Sequence, residues 1–206
     1  MWTGTAFEID IYFIRHGKTL SNELKRYISV TDEDLCEAGR EQIIRSKDKY
    51  PVADMVFVSS RKRTWETASL IYSNLPQTTI PEFDEINFGK FEGKTYEELK
   101  SDDDYCAWLA SGCAQMIPGG ESRSEFIERQ LRGLYKLLGL AKDIRQAVVV
   151  GHGGTIMSLF SHFTDMDYFD LQLSNADSMN CKIIYDLTES GEIVISSFSI
   201  TDRNNT

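Results

Sequence analysis

The chain has 206 residues, 41% apolar and 26% charged, enough to bury a full core in one domain. Its net charge of −10 argues against general binding to nucleic acid or an anionic membrane, both of which need a basic face. No apolar run approaches the ~18 residues of a membrane span. The start MWTGTAFEID lacks the basic residues and apolar stretch of a secretory leader, so the expected location is the cytoplasm. Cys36, Cys106, Cys113 and Cys181 form no C-x-x-C pair and read as free thiols.

The first element, FEIDIYFI (7–14), reads as a buried strand and stops at Arg15-His16-Gly17. A loop and a helical pattern, LCEAGREQIIRSKDKY (35–50), follow it. A second strand, ADMVFV (53–58), runs into the helical segment RKRTWETASLIYSNL (61–75). Segment 94–117 reads as an insertion with short helices of its own, and Asp102-Asp103-Asp104 as a solvated helix start. Gly119 and Gly120 break the chain before a long helix, 122–142, for which Glu121 and Ser122 suit the first turn. Ile127, Leu131, Leu134, Leu138 and Ala141 form its apolar stripe. A third buried strand, QAVVVG (146–151), precedes the helical GGTIMSLFSHF (153–163). Two further strands, 180–187 and 192–200, are joined by TESGE as a hairpin. Strand, loop and helix in repetition predict an α/β fold. Its central sheet is expected to be mostly parallel, of about six strands flanked by helices, in a single domain over 1–206.

In such sheets ligands bind outside the carboxyl ends of the strands. The first strand delivers Arg15, His16 and Gly17 there. The second delivers Ser59, Ser60, Arg61, Lys62 and Arg63, and the third Gly151, His152, Gly153 and Gly154. Arginine forks match the paired oxygens of phosphate or carboxylate. Glycines let backbone N–H groups approach an anion, and a helix starting near Gly153 points its positive end at the same edge. Histidine adds a nitrogen able to attack phosphorus, and nearby cations neutralise a phosphoryl group in transfer. A phosphomonoester also needs its leaving oxygen protonated. The segment FDEINFGKFEGKT (83–95) offers Asp84, Glu85 and Glu92, and position alone does not choose among them.

RHGKTLSN resembles the R-H-G-x-T-x-x-N signature of the histidine phosphatase superfamily, phosphoglycerate mutase-like branch. LCEAGREQ (35–42), SSRKRTWETA (59–68), FDEINFGKFEGKT, PGGES (118–122) and VVVGHGGTI (148–156) follow in that family's order, so the likeness covers roughly residues 9–160. It implies the phosphoglycerate mutase-like fold. His16 would be the nucleophile that becomes phosphohistidine, with Arg15, Arg63 and His152 on the phosphoryl oxygens. Glu85 would protonate the leaving group and then activate water. Asn22, Thr19 and the backbone of Gly153 would lie near the phosphate, and no metal or organic cofactor is needed. Ser60, Arg61 and Thr64 depart from the family pattern, and Arg61 is expected to be exposed. Glu92 is expected to close its loop through backbone hydrogen bonds. His162, outside every motif, reads as a packing residue, as do Trp2, Trp65 and Trp108.

Within the family, a phosphoglycerate mutase is implied to be longer and to carry paired arginines in the insertion after the acid motif. Segment 94–117 has no arginine, only Lys94 and Lys100. The expectation is therefore a phosphatase acting on a small phosphorylated metabolite, as a monomer or homodimer. EINFGKFEG is similar to the motif of the α-ribazole phosphatase group and its broad-specificity relatives. Tyr96, Tyr105, Trp108 and Met116 are read in two ways: as an apolar wall of the pocket, or as the residues that pack the insertion onto the domain. A serine hydrolase would need a G-x-S-x-G elbow and a zinc protease an H-E-x-x-H helix, and the chain has neither.

Overall fold

The computed structural model describes residues 6–204, so Trp2 lies outside the described residues. The sheet has six strands: β1 (Phe7–Arg15), β2 (Met55–Val58), β3 (Gln77–Thr79), β4 (Gln146–Gly151), β5 (Ser178–Leu187) and β6 (Ile193–Asn204), in the order β3-β2-β4-β1-β5-β6. β1 to β4 are mutually parallel, whereas β5 runs antiparallel to both β1 and β6. The sheet is thus mostly parallel, as expected, with the C-terminal hairpin on one edge. The strand that sequence patterning leaves unlocated is β3. It is three residues of Gln and Thr at the far edge, too short and polar to show a period.

Both faces of the central strands are covered, which explains why they read as unbroken apolar runs. Ile9, Ile11 and Phe13 of β1 and Val149 of β4 pack with Leu134, Leu137, Leu138 and Phe160 on one face. Ile14, Val56, Val58, Val148 and Val150 pack with Ile43 and Ala68 on the other. The helices concerned are α2 (Glu37–Ser46) and α3 (Lys62–Ile71), following the short α1 (Leu20–Glu23). On the opposite face lie α6 (Arg123–Leu140) and α7 (Gly153–Phe163). Ser122 caps α6 in a reciprocal box with Glu125. The buried stripe of α6 is rotated from the expected one. Phe126, Leu134, Leu137 and Leu138 are buried while Ile127 and Leu131 are only partly so. The cause is a second neighbour: Phe126 turns into a separate small core with Ile86, Phe91, Leu99, Tyr105, Trp108 and Ile117.

That core lies under the insertion, whose helices are α4 (Tyr96–Leu99) and α5 (Asp103–Ala110). Asp102 caps α5 and accepts from the N–H groups of Asp104 and Tyr105. All four cysteines are free thiols. No helix among the described residues is long and apolar enough to cross a membrane.

One glycine ties the scaffold to the strand end. A Cβ on Gly39 in α2 would stand 2.2 Å from the carbonyl oxygen of Lys18 and 2.8 Å from its nitrogen. These are backbone atoms two residues beyond His16, and they have no rotamer by which to yield. Gly39→Ala is therefore expected to destabilise the fold by about 1–3 kcal/mol, seen as a lower urea midpoint with unchanged slope. An unchanged midpoint would mean that α2 shifts freely over this loop.

Candidate active site

The sheet register brings the expected strand ends together. Arg15 lies opposite Gly151, and Val58 opposite Val150. The N–H of His16 donates to the carbonyl of Gly151 at 3.0 Å. The imidazole Nδ1 of His16 lies 2.7 Å from the carbonyl of Gly17, so Nδ1 carries the proton and Nε2 keeps its lone pair. The carbonyl of His16 is held in turn by Nδ2 of Asn175 at 3.0 Å. The same amide donates to Oδ1 of Asn22 at 3.1 Å, which leaves the amide N–H groups of Asn22 available on the cavity wall.

Arg15, His16, Asn22, Glu85 and Gly153 line one cavity of about 430 Å³. Arg63 and His152 lie beneath its floor, almost wholly buried. The rings of His16 and His152 stand edge to face with centroids 5.2 Å apart. Arg63 donates to the carbonyls of Thr31 and Ser29 at 3.0 and 3.1 Å. Nε of Arg15 and Nδ1 of His152 are buried with no partner among the described residues. A buried donor without an acceptor costs about 1–3 kcal/mol, a cost that an anion accepting from these groups would relieve. Nε2 of His152 lies 2.9 Å from the hydroxyl of Ser59, a residue to which the motifs assign no role. With Ser59 donating to Nε2, Nδ1 carries the ring proton and becomes a donor. Thr19 stands apart from the group. It caps α1, its hydroxyl accepts from the N–H of Asn22 at 3.3 Å, and it does not line the cavity.

The three acids of 83–95 separate cleanly. Glu92 accepts from the N–H groups of Ser29 and Thr31 and closes its loop, as expected. Asp84 accepts from the N–H and hydroxyl of Ser60 at 2.8 and 2.7 Å and pairs with Arg61 at 2.7 Å. Of the three, Glu85 alone reaches the cavity, where Oε1 accepts from the N–H of Ile86 at 2.9 Å and Oε2 from that of Gly154 at 3.2 Å. The expectation that Arg61 is exposed is overturned. Its side chain is 22% exposed, held by Asp84 and by the carbonyl of Val30. Ser60 and Arg61 share one partner, Asp84.

Burial dominates the ionisation of the site. It pushes the carboxyl of Glu85 above its usual range, against the opposing effect of its two backbone hydrogen bonds and of Arg15 and Arg63. It also holds the imidazole of His16 well below its ordinary value, reinforced by Arg63 and Arg15. His152 is lowered in the same way, by burial first and then by Arg63. At neutral pH His16 is therefore a neutral base beside cations.

The outer cavity differs in part from the expected wall. Trp108 lines it, together with Tyr27, Phe88 and Met157. Tyr105 does not; it is wholly buried in the core under the insertion. Tyr96 and Met116 are 52% and 51% exposed and do not line the cavity. The pattern of the insertion could not show which of its aromatics turn inward, because its helices pack on a core of their own. Arg123 stands over the rings of Tyr168 and Phe169 at 4.3 and 5.3 Å on the opposite wall. His162 is an exposed residue of α7 whose ring meets its neighbour Phe163, so it is not a core packer.

Sequence comparison matches residues 11–198 to the histidine phosphatase superfamily (branch 1). The phosphoglycerate mutase-like protein 4 of Arabidopsis thaliana is 31% identical over 160 residues, covering 73% of this chain and 69% of that protein. The adenosylcobalamin/α-ribazole phosphatase of Salmonella typhimurium is 25% identical over 162 residues, covering 76% and 80%. The crystal structure of the α-ribazole phosphatase from Shigella flexneri superposes with a TM-score of 0.72 at 22% identity, over 95% of this chain and all of that one, which establishes the likeness of fold. With this match over most of its length, the chain belongs to the histidine phosphatase superfamily, branch 1.

Proposed function

We propose that the protein hydrolyses small phosphomonoesters through phospho-His16. The observation that carries this reading is one cavity lined by a neutral imidazole with a free Nε2, by Arg15 and by a buried carboxyl, with Arg63 buried close enough to act on both titratable groups. Nε2 of His16 attacks phosphorus and the bond to the leaving oxygen breaks. The protonated Glu85 gives its proton to that oxygen, so the alcohol departs neutral. Arg15, Arg63, the Nδ1–H of His152, the amide of Asn22 and the N–H at Gly153 carry the charge of the transferring group. The Glu85 carboxylate then takes a proton from water, the water oxygen bonds to phosphorus, and the N–P bond breaks. Inorganic phosphate leaves and His16 recovers its lone pair. The placement of Thr19 in the α1 cap gives it a supporting part, through Asn22.

A phosphatase is favoured over a mutase because 94–117 supplies no arginine and turns Trp108 and Cys113 toward the cavity. We read that segment as the wall over the leaving group, within one domain, in a cytoplasmic monomer or homodimer. The test is a substrate panel on the purified protein: 4-nitrophenyl phosphate, sugar and nucleoside phosphates, α-ribazole phosphate, and 3-phosphoglycerate with 2,3-bisphosphoglycerate. Phosphate release unaffected by EDTA is expected. Interconversion of phosphoglycerates without release would make it a mutase, and activity lost to EDTA and regained with zinc would refute the phosphohistidine chemistry.

The ionisation of the site sets a pH profile. The rate needs His16 neutral, so kcat/KM falls on the acid side through a pKa below the ordinary 6.5. It needs Glu85 protonated, so kcat/KM falls on the basic side through a pKa above the ordinary 4.5. The bell is expected to peak on the acid side of neutral. Glu85→Gln removes the basic limb. A flat profile from about pH 4 to 9 would refute both assignments.

A further inference from the structure

The segment that carries Glu85 has no regular structure of its own to fix it. One side chain on α6, that of Arg129, meets it at three backbone carbonyls. All five N–H donors of the Arg129 guanidinium are engaged. Nη1 donates to the carbonyls of Glu82 and Asp84, each at 2.8 Å, and Nη2 to the carbonyl of Glu85 at 3.1 Å. Nε and the remaining Nη2 hydrogen go to the two carboxylate oxygens of Glu121, at 2.8 and 2.7 Å. Glu121 also accepts from the N–H of Asn87 at 2.8 Å, so the stretch from 82 to 87 is gripped at both ends. The guanidinium lies 5.0 Å from the ring of Phe126. A Cβ placed on Gly154, which donates to Glu85, would meet that same ring at 2.9 Å.

We infer that Arg129 is a positioning residue for the acid: it fixes Glu85 through the converging carbonyls of residues 82, 84 and 85. The inference rests on the reading of Glu85 as proton donor. Arg129 acts by geometry: its charge is paired with the carboxylate of Glu121, and its remaining donors meet backbone carbonyls. A lysine cannot replace it. Its ammonium has three donors and no planar fork, against five acceptor contacts here. Loss of the guanidinium need not unfold the segment. Nε2 of Gln130 also donates to the carbonyls of Glu82 and Asp84, and the hydroxyl of Ser29 to that of Glu85. What is lost is close placement, and a displacement of ~1 Å at a reacting group costs on the order of 100-fold.

The test uses leaving groups of different acidity. 4-Nitrophenolate departs without a proton, whereas an alkoxide from glycerol 2-phosphate needs one. The readout is kcat/KM, which covers only the steps up to phospho-His16 and so leaves out the part of Glu85 in hydrolysing it. In Arg129→Lys, kcat/KM for glycerol 2-phosphate is expected to fall about 30-fold or more. For 4-nitrophenyl phosphate the fall in kcat/KM is expected to stay within about 3-fold. Glu85→Gln should show the same selectivity, more strongly. Equal losses on both substrates in Arg129→Lys would overturn the inference and leave Arg129 a structural residue only. Loss of selectivity in Glu85→Gln itself would instead refute Glu85 as the acid. If Arg129→Lys does not fold, Glu121→Gln takes its place, since it keeps the shape of the partner and weakens its grip on the guanidinium. A selective loss on glycerol 2-phosphate there supports the inference, and equal losses on the two substrates overturn it.

Discussion

His16→Ala is expected to lower kcat for every phosphomonoester by about 10⁵-fold or more, leaving only what charge stabilisation does for direct attack by water. The size follows from what the residue supplies. In the proposed mechanism Arg15, Arg63 and His152 bind and neutralise the phosphoryl group, but none of them presents a free nitrogen lone pair to phosphorus. Arginine stays protonated, and His152 has Nε2 tied to Ser59. The variant should still bind inorganic phosphate, because the cations and the orphaned donors of the floor remain. Binding without turnover separates nucleophile from ligand, and titration calorimetry with phosphate reads the first while phosphate release reads the second. In the wild type, rapid quenching during turnover should trap one phosphoryl group on His16. The N–P bond predicts a label lost in acid and kept in base. An acid-stable label, or turnover that survives in His16→Ala, would place the phosphoryl group on another residue and end this mechanism.

The chemistry was legible in the sequence where residues sit at strand ends. Arg15, His16 and His152 follow apolar runs directly, and the parallel order of a doubly covered sheet leaves such residues one edge on which to meet. Arg63 is legible by motif, whereas its near-complete burial in the first turn of α3 is not. Hydrogen-bond partners set by tertiary contact were not legible. Ser59 is near His152 only across 93 positions of chain, and Asn175 reaches the carbonyl of His16 across 159. The choice among Asp84, Glu85 and Glu92 belongs to the same class. Composition treats the three as equal, and the fold separates them by giving Asp84 to Ser60 and Arg61 and Glu92 to the N–H groups of a facing loop. The insertion was the least legible segment. Its aromatics divide between a local core and the cavity, and no period distinguishes Tyr105 from Trp108 when both are buried in one cluster.

Gly154→Ala is expected to be the most damaging substitution outside the ionisable residues. A Cβ there would fall 2.1 Å from Oε1 of Glu85 and 2.9 Å from the ring of Phe126. Phe126 is wholly buried and packed in the core under the insertion, so the carboxyl must be the group that moves. Moving it breaks its hydrogen bond from the N–H of Gly154 and carries the proton away from the leaving oxygen. The loss is expected to be about 10²–10³-fold in kcat for alkyl phosphates, the usual worth of a general acid. Stability moves less than rate. Alanine is about 1 kcal/mol better than glycine within a helix, and Gly154 lies in the first turn of α7. That gain offsets part of the crowding against Phe126, which moving the carboxyl does not relieve, so the variant should unfold at a somewhat lower temperature than the wild type and still bind phosphate while losing its rate. Gly153→Ala is the companion measurement, since a Cβ there makes only ordinary contact with Arg15, at 3.6 Å, and its cost should stay under about 10-fold. Equal losses at 153 and 154 would mean that the helix start itself, rather than the space reserved for Glu85, limits the reaction.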